Sequence, residues 1–418
     1  MPSQQRRIGT WAVVLAAAGA VALPTAASAA PTTDGPSAEA EHAFAPPTYT
    51  ARAWGLNNVG QLGNGTTSPT PSYSAVPVTD LTGLDDVRAV AGGYTVGFAL
   101  NSDGTVWAWG LNDVGQLGNG TIINSNVPVQ VAGLDGIRAI AAGTDGNGYA
   151  LRRDGTVWAW GANTTGQLGN GQPIANSTIP VQVVGLAGIR AIAADGSTAY
   201  ALRRDGTVWA WGSNTTGQLG NGQPIANSIL PIQIPALSDI RAITARGASA
   251  FALRRDGTVW AWGSNTTGQL GNGTLVPSLT PVAVPNLTNI RRIAAGVGVT
   301  YALDENGTVW AWGDNTLGQL GNGSLAPSLI PLPVTGETGL VGAVSIAAGA
   351  SGGYALRWDG TAFAWGSNSV GQLGNGNPAV AQSAVPLPIP GLGDVRAISG
   401  GIFDGYAIVS RGFQGTEL

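Results

Sequence analysis

The residue types on which most enzymes rely are scarce or missing in this chain. Among 418 residues there is no cysteine, a single histidine (His42) and no lysine at all. Ser-His-Asp and Cys-His nucleophilic arrangements need a histidine that the body of the chain does not supply. Disulfides and thiolate metal sites are excluded outright. Carboxylates, arginines and aromatic rings remain. Asp103, Asp154, Asp205, Asp256 and Asp359 recur at related positions, and a pair of carboxylates can in principle hydrolyse a glycoside. Each of the five, however, precedes a glycine between two apolar runs, and Asp-Gly in that setting signals a hairpin turn whose residues accept positive φ. Their regularity is that of the turns, so no catalytic residue, cofactor or metal is expected.

Three other sets invite chemistry and receive a structural reading. Arg88, Arg138, Arg190, Arg241, Arg291 and Arg396 recur near the start of one apolar run. They could draw an anionic partner to a ring opening, but Asp86, Asp239 and Asp394 stand beside them as pairing partners. The fourteen tryptophans are mostly in repeated Trp-Ala-Trp strands, where recurrence in nearly every unit favours packing between units. Gly-Gln-Leu-Gly-Asn-Gly loops have the glycines of a phosphate cradle without its lysine, hydroxyl or following helix, so their glycines are read as turn formers. Asp145-Gly146-Asn147-Gly148 matches no calcium loop.

These sets share a period. Ala-Trp-Gly recurs with its tryptophan at Trp54, Trp109, Trp160, Trp211, Trp262, Trp312 and Trp365, at spacings of 50 to 55 residues, each followed by Gly-Gln-Leu-Gly-Asn-Gly. Such periods mark propellers and arrays. One unit reads as four strands: the apolar Ile189 to Ala194, Tyr200 to Arg203, Thr207 to Trp211 after the Asp205-Gly206 turn, and the proline-containing Leu230 to Ile234, suited to an edge. Small residues such as Ala141-Ala142-Gly143 mark the first strand as innermost. The first Ala-Trp-Gly lacks a preceding Tyr-Ala-Leu strand, and the last such strand, Tyr406 to Ile408, lacks a following Ala-Trp-Gly. These complementary halves predict that Tyr49 to Trp54 pairs with Gly405 to Val409. The fold class is all-β, a seven-bladed β-propeller of four-stranded antiparallel blades, closed by strands from both ends of the chain.

Composition agrees. Glycine contributes 65 residues, charged residues only 10% and hydrophobic residues 44%. A net charge of −4 lacks the footprint of a nucleic-acid binder. Arg6-Arg7, the apolar Trp11 to Leu23 and Ala27-Ser28-Ala29 read as an export signal over residues 1–29, whose apolar stretch is short for a membrane span. A leader (30–48), the propeller (49–412) and a short tail (413–418) follow. The expected product is a secreted monomer, free of the membrane once the signal is cleaved near Ala29.

The motifs Ile140-Ala141-Ala142-Gly143, Tyr149-Ala150-Leu151, Asp154-Gly155-Thr156-Val157-Trp158-Ala159-Trp160-Gly161 and Gly166-Gln167-Leu168-Gly169 resemble the regulator of chromosome condensation repeat family, over about residues 49 to 412. The resemblance implies a seven-bladed propeller with one blade shared between the termini. It does not carry over the founding member's nuclear exchange activity or chromatin binding, whose supporting basic segments are missing here. Many members have a histidine ahead of the Ala-Leu strand, where this chain has Val96, Asn147, Thr198 or Asp404. A narrower resemblance, through Ala91-Gly92-Gly93-Tyr94 and Gly400-Gly401-Ile402-Phe403, is to secreted bacterial propellers that inhibit β-lactamases.

The place to look for function is where the repeat stops repeating. The segment between the inner strand and the Tyr-Ala-Leu strand differs in every unit, and a propeller gathers all seven around one mouth. Exposed loops on a rigid scaffold favour binding. Tyr94, Thr95, Asp145, Asp195, Arg246, Ser351, Phe403 and Asp404 are therefore the candidate partner-binding residues. The expected function is an extracellular protein–protein interaction module without catalysis. The alternatives are an inhibitor of an extracellular enzyme such as a β-lactamase and, more remotely, a carbohydrate-acting enzyme.

Overall fold

The computed structural model describes Val21–Ala22 and residues 48–79, 83–223, 226–335 and 340–410. The leader before residue 48, residues 411–412 of the expected propeller span, the tail and all of the expected export signal except Val21–Ala22 lie outside them. Seven antiparallel sheets of four strands form a closed ring. The inner strands are Val87–Gly92, Ile137–Gly143, Ile189–Asp195, Ile240–Arg246, Ile290–Ala295, Ala343–Ala348 and Val395–Gly400, and they define blades 1 to 7. Each touches the next, and the seventh touches the first. Val21–Ala22 adds a short strand along the inner edge of blade 1, with Val21 opposite Val90 and Ala22 opposite Ala89.

Ring closure follows the complementary half-repeats. Asp404–Ser410 pairs with Tyr49–Asn57, placing Thr50 opposite Val409 and Trp54 opposite Gly405. Blade 7 therefore takes its inner two strands from the C-terminal part and its outer two, Tyr49–Asn57 and Ser68–Pro77, from the N-terminal part. In every blade the proline-containing strand is outermost, where a missing N–H disturbs no ladder.

The Trp-Ala-Trp strands form the seams. The second tryptophan of each pair is fully buried against the neighbouring blade, as with Trp109, Trp160 and Trp211. Its indole Nε1 donates to the glutamine carbonyl of the preceding Gly-Gln-Leu-Gly-Asn-Gly loop: Trp160 to Gln116 at 2.9 Å, Trp211 to Gln167 at 2.9 Å. The bond from Trp54 to Gln372, 2.8 Å, carries the pattern across the closure. An aromatic ring from the blade behind meets each buried indole edge-on, as in Tyr149–Trp211 at 6.3 Å and Tyr406–Trp109 at 6.2 Å. Opposite Trp160 stands Gly148, where a Cβ would overlap the indole. The loop itself hangs on a buried asparagine three residues after the tryptophan. Asn112 accepts from the Leu117 amide at 2.9 Å and donates to the Thr121 carbonyl at 3.0 Å. That asparagine recurs in all seven units and was readable from its recurrence, though the sequence reading did not single it out.

Two expectations need correction. The Asp-Gly hairpins are not two-residue turns with both residues at positive φ. Arg152 bonds Thr156 and Gly155 bonds Arg152, so the loop has three residues, and only the glycine (Gly155, φ +89°) is left-handed; such loops combine a type I turn with a glycine bulge. The aspartate instead accepts from the threonine two residues on, Asp154 Oδ1 from the Thr156 amide at 2.8 Å and its hydroxyl at 2.7 Å, which holds its carboxyl below the usual range. Arginine–acid pairing holds for Arg88 with Asp86 and Arg396 with Asp394. Arg138, Arg190, Arg241 and Arg291 instead donate Nη2 to the first carbonyl of the next inner strand, at Ile189, Ile240, Ile290 and Ala343. Arg241 thus stitches two blades rather than pairing with Asp239.

Candidate partner-binding mouth

Inner strands run toward one end of the disc, so the segments that follow them meet there. Neighbouring tips are bonded to each other. Ile402 donates to Gly93 at 3.0 Å, Val297 to Ala350 at 2.9 Å, and the Ser197 hydroxyl to Asp145. The structure brings the eight candidate residues to this end, but in two distinct environments.

Tyr94, Thr95, Asp145, Ser351 and Phe403 are at least partly open to solvent. Tyr94 of blade 1 and Phe403 of blade 7 meet edge-to-face at 5.3 Å between centroids, and Tyr94 keeps 47% of its surface exposed. Beside them lies a cleft of about 370 Å³ lined by Tyr94, Thr95, Asp113, Gln116 and Asp145. A second, about 350 Å³, runs on from Thr144 and Asp145 to Asp195, Ser197, Gln218 and Ala248. Asp145 lines both.

Asp195, Arg246 and Asp404 differ from expectation. They are buried strand-end residues rather than exposed loop residues. Asp195 and Arg246 occupy a position that is glycine in the other five blades: Gly93, Gly143, Gly296, Gly349 and Gly401. At the hub that position is crowded, and a Cβ on Gly401 would overlap the Asp404 carboxylate. Asp195 uses its carboxylate to hold the adjacent tip, accepting from the Gly247 amide at 2.9 Å and the Ala248 amide at 2.6 Å. Arg246 reaches across the hub from blade 4, donating Nη1 to the Ala348 carbonyl at 3.1 Å and the Gly400 carbonyl at 3.0 Å, at the ends of blades 6 and 7. The channel mouth is therefore bridged by a guanidinium.

Burial governs the electrostatics here. Desolvation raises the Asp195 carboxyl, opposed by its two backbone hydrogen bonds and by Arg246. It pushes Asp404 up to about 8, against the bond from Tyr406 and the field of Arg246. The Tyr406 hydroxyl, 3.0 Å from Asp404 Oδ2, is itself raised well above its ordinary value. Arg246 is lowered by burial, with Asp195 and Asp404 acting the other way. Asp404 Oδ1 and Arg246 Nε have no hydrogen-bond partner among the described residues. The described residues contain no cluster of three or more metal-ligating side chains. What the mouth presents is a surface with the exposed carboxylates of Asp113 and Asp145 and an aromatic pair at one edge.

The chain matches the RCC1-like domain over residues 150–413 and the regulator of chromosome condensation (RCC1) repeat over residues 53–100 and 103–147. It is 30% identical over 227 residues to the ultraviolet-B receptor UVR8 of Arabidopsis thaliana, covering 53% of this chain and 50% of the receptor. To the probable E3 ubiquitin-protein ligase HERC6 of Homo sapiens it is 34% identical over 194 residues, 44% of this chain and 19% of the ligase. It thus spans half of one relative and a fifth of the other. Among solved structures, Prp20p from Saccharomyces cerevisiae superposes with a TM-score of 0.76 at 23% identity, over 88% of this chain and 93% of that one. Human WBSCR16 gives 0.76 at 21%, over 87% and 99%. At these identities the likeness carries the fold alone. Seven sealed blades and a family match over more than half the chain lead to one assignment: this protein belongs to the RCC1-like domain family of RCC1-repeat propellers.

Proposed function

We propose that the chain is an exported protein-binding propeller that engages a protein partner through the mouth bearing Tyr94, Thr95, Asp145, Ser351 and Phe403, without catalysis. One observation carries this reading. Seven blades that are nearly interchangeable at their seams end in seven unlike tips, and those tips meet on one surface with an exposed aromatic pair and two adjoining clefts. Aromatic anchors beside polar pockets are the usual energetic centre of a protein interface. Relatives with this fold are described by what they bind: Prp20p by Gsp1p and histones, and by Kap60. The ultraviolet response of the Arabidopsis relative is not carried over, because the buried indoles here are taken up by seam bonds.

Arg246 and Asp404 set the shape of the mouth from below rather than touching the partner, while Asp195 holds the adjacent tip and lines the second cleft. The test follows from that division. Proteins captured from the producing culture by the wild-type chain are compared with those captured by Tyr94→Ser/Asp145→Asn/Phe403→Ser. Loss of a specific protein from the variant supports the mouth, and identical captures refute it. An inhibitor of an extracellular enzyme is this same reading with a particular partner; nanomolar protein against several β-lactamases tests it, and unchanged rates remove it. The export reading rests on Arg6-Arg7, Trp11 to Leu23 and Ala27-Ser28-Ala29, and N-terminal sequencing of protein from the medium should begin at Ala30. Light scattering should give the monomer mass.

A further inference from the structure

The end of the disc opposite the mouth also departs from the repeat. Blades 2, 3 and 4 each carry Arg-Arg-Asp-Gly at the hairpin between their second and third strands, giving exposed Arg153, Arg204 and Arg255. The equivalent residue is Glu305 in blade 5, Trp358 in blade 6 and Ser102 in blade 1. The side chains of Arg153, Arg204 and Arg255 have no hydrogen-bond or ion-pair partner among the described residues, whereas Arg88, Arg152, Arg357 and Arg396 each have an aspartate.

Backbone bonds bring these free arginines against the inter-blade ones. The Arg204 amide donates to Gly188 at 3.0 Å, while Arg138 Nη2 donates to the next carbonyl, Ile189, at 2.8 Å. One blade further round, the Arg255 amide donates to Asp239 at 2.9 Å and Arg190 Nη2 to Ile240 at 2.7 Å. Two equivalent sites result, each with two guanidinium groups. Both inner arginines are lowered by burial and then by the facing arginine, so like charges stand close together, and none of these four arginines is in an ion pair among the described residues. Asp154, Asp205 and Asp256 accept from the threonines of their own turns, and Asp239, whose carbonyl takes the Arg255 amide, adds an exposed carboxylate beside the second site where the first has Gly188. The pattern ends at blade 5, where Glu305 takes the place of the outer arginine.

We propose that the Arg138/Arg204 and Arg190/Arg255 sites bind successive anionic groups of an acidic polysaccharide. Guanidinium forks suit carboxylate and sulfate oxygens, and a charged group at each site relieves the repulsion. Stacking of nucleic-acid bases lacks a platform, because Trp158, Trp209 and Trp260 are covered by Arg152, Arg203 and Arg254 at 4.9, 4.7 and 4.8 Å. A folded protein partner would want apolar anchors at the centre of its contact. The most exposed ones near this end, Val341 and Trp358, belong to blade 6.

The experiment is titration calorimetry of the full chain with a heparin-derived octasaccharide in about 50 mM salt, where charge contacts are little screened. Binding that weakens with salt is expected. Arg204→Ser/Arg255→Ser should lose at least tenfold in affinity with an unchanged melting curve, and Arg88→Ser, whose guanidinium is held by Asp86, should match wild type. Absent binding, or full affinity in the double variant, would overturn the proposal. So would equally tight binding of single-stranded DNA or polyglutamate of the same charge.

Discussion

The seams and the mouth are built from the same seven units under opposite rules. At every seam an indole Nε1 bonds the same glutamine carbonyl and a ring from the blade behind meets it edge-on. At the mouth the strand-end position is glycine in five blades, Asp195 in one and Arg246 in another, and the tips share neither length nor chemistry. A seam repeats because each faces the same packing problem, and a weak seam opens the ring. A tip faces solvent or a partner and is free to differ. Regularity therefore marks stability in this molecule, and irregularity marks where recognition can sit.

The contrast is most easily broken at a seam. Trp211→Ala should destabilise the protein by about 3–5 kcal/mol, the cost of a large cavity plus lost contacts, seen as a lower urea midpoint. A loss below about 1 kcal/mol would mean the seams do not hold the ring. Arg246→Ala comes next. It strips two buried carbonyls of their donor and should cost about 1–3 kcal/mol, placing the floor of the mouth between the two regimes. A neutral result would make the bridge incidental.

Asp404 sharpens the contrast through pH. Its folded value of about 8 lies above the ordinary 3.8, so the folded state binds the proton more tightly than the unfolded state. The stability this group contributes is full below about pH 4 and declines as pH rises toward 8. Asp404→Asn cannot ionise, so its melting temperature should gain on wild type between pH 5 and 8. A constant difference would show the carboxylate already charged beneath Arg246. The smallest effect belongs to the open tips: Tyr94→Ser, Asp145→Asn and Phe403→Ser should each stay within about 0.5 kcal/mol of wild type.

Most of the architecture is legible in the sequence. Seven Ala-Trp-Gly copies set the blade count, and the unmatched halves around Tyr49 and Tyr406 set the closure, because both reflect pairings that recur or complement within the chain itself. The candidate site was legible only in part. Whether Asp195 or Arg246 is a tip or a strand end turns on a single residue of register, and nothing local settles it. The partners of Arg246 stand 102 and 154 residues away, beyond any pattern of spacing. Arg241 has Asp239 two positions off yet bonds a carbonyl in the next blade. Sequence proximity advertised an ion pair, while the blade-to-blade approach offered a closer acceptor.

Affinity at the mouth is the direct measure of the whole scheme. For a partner captured by the wild-type chain, the dissociation constant is compared with that of Tyr94→Ser/Asp145→Asn/Phe403→Ser, on protein whose urea midpoint matches wild type. A loss of about a hundredfold or more is expected from an anchor cluster of this kind. Undiminished affinity in a fully folded variant would contradict the claim that the unlike tips are where this propeller meets its partner.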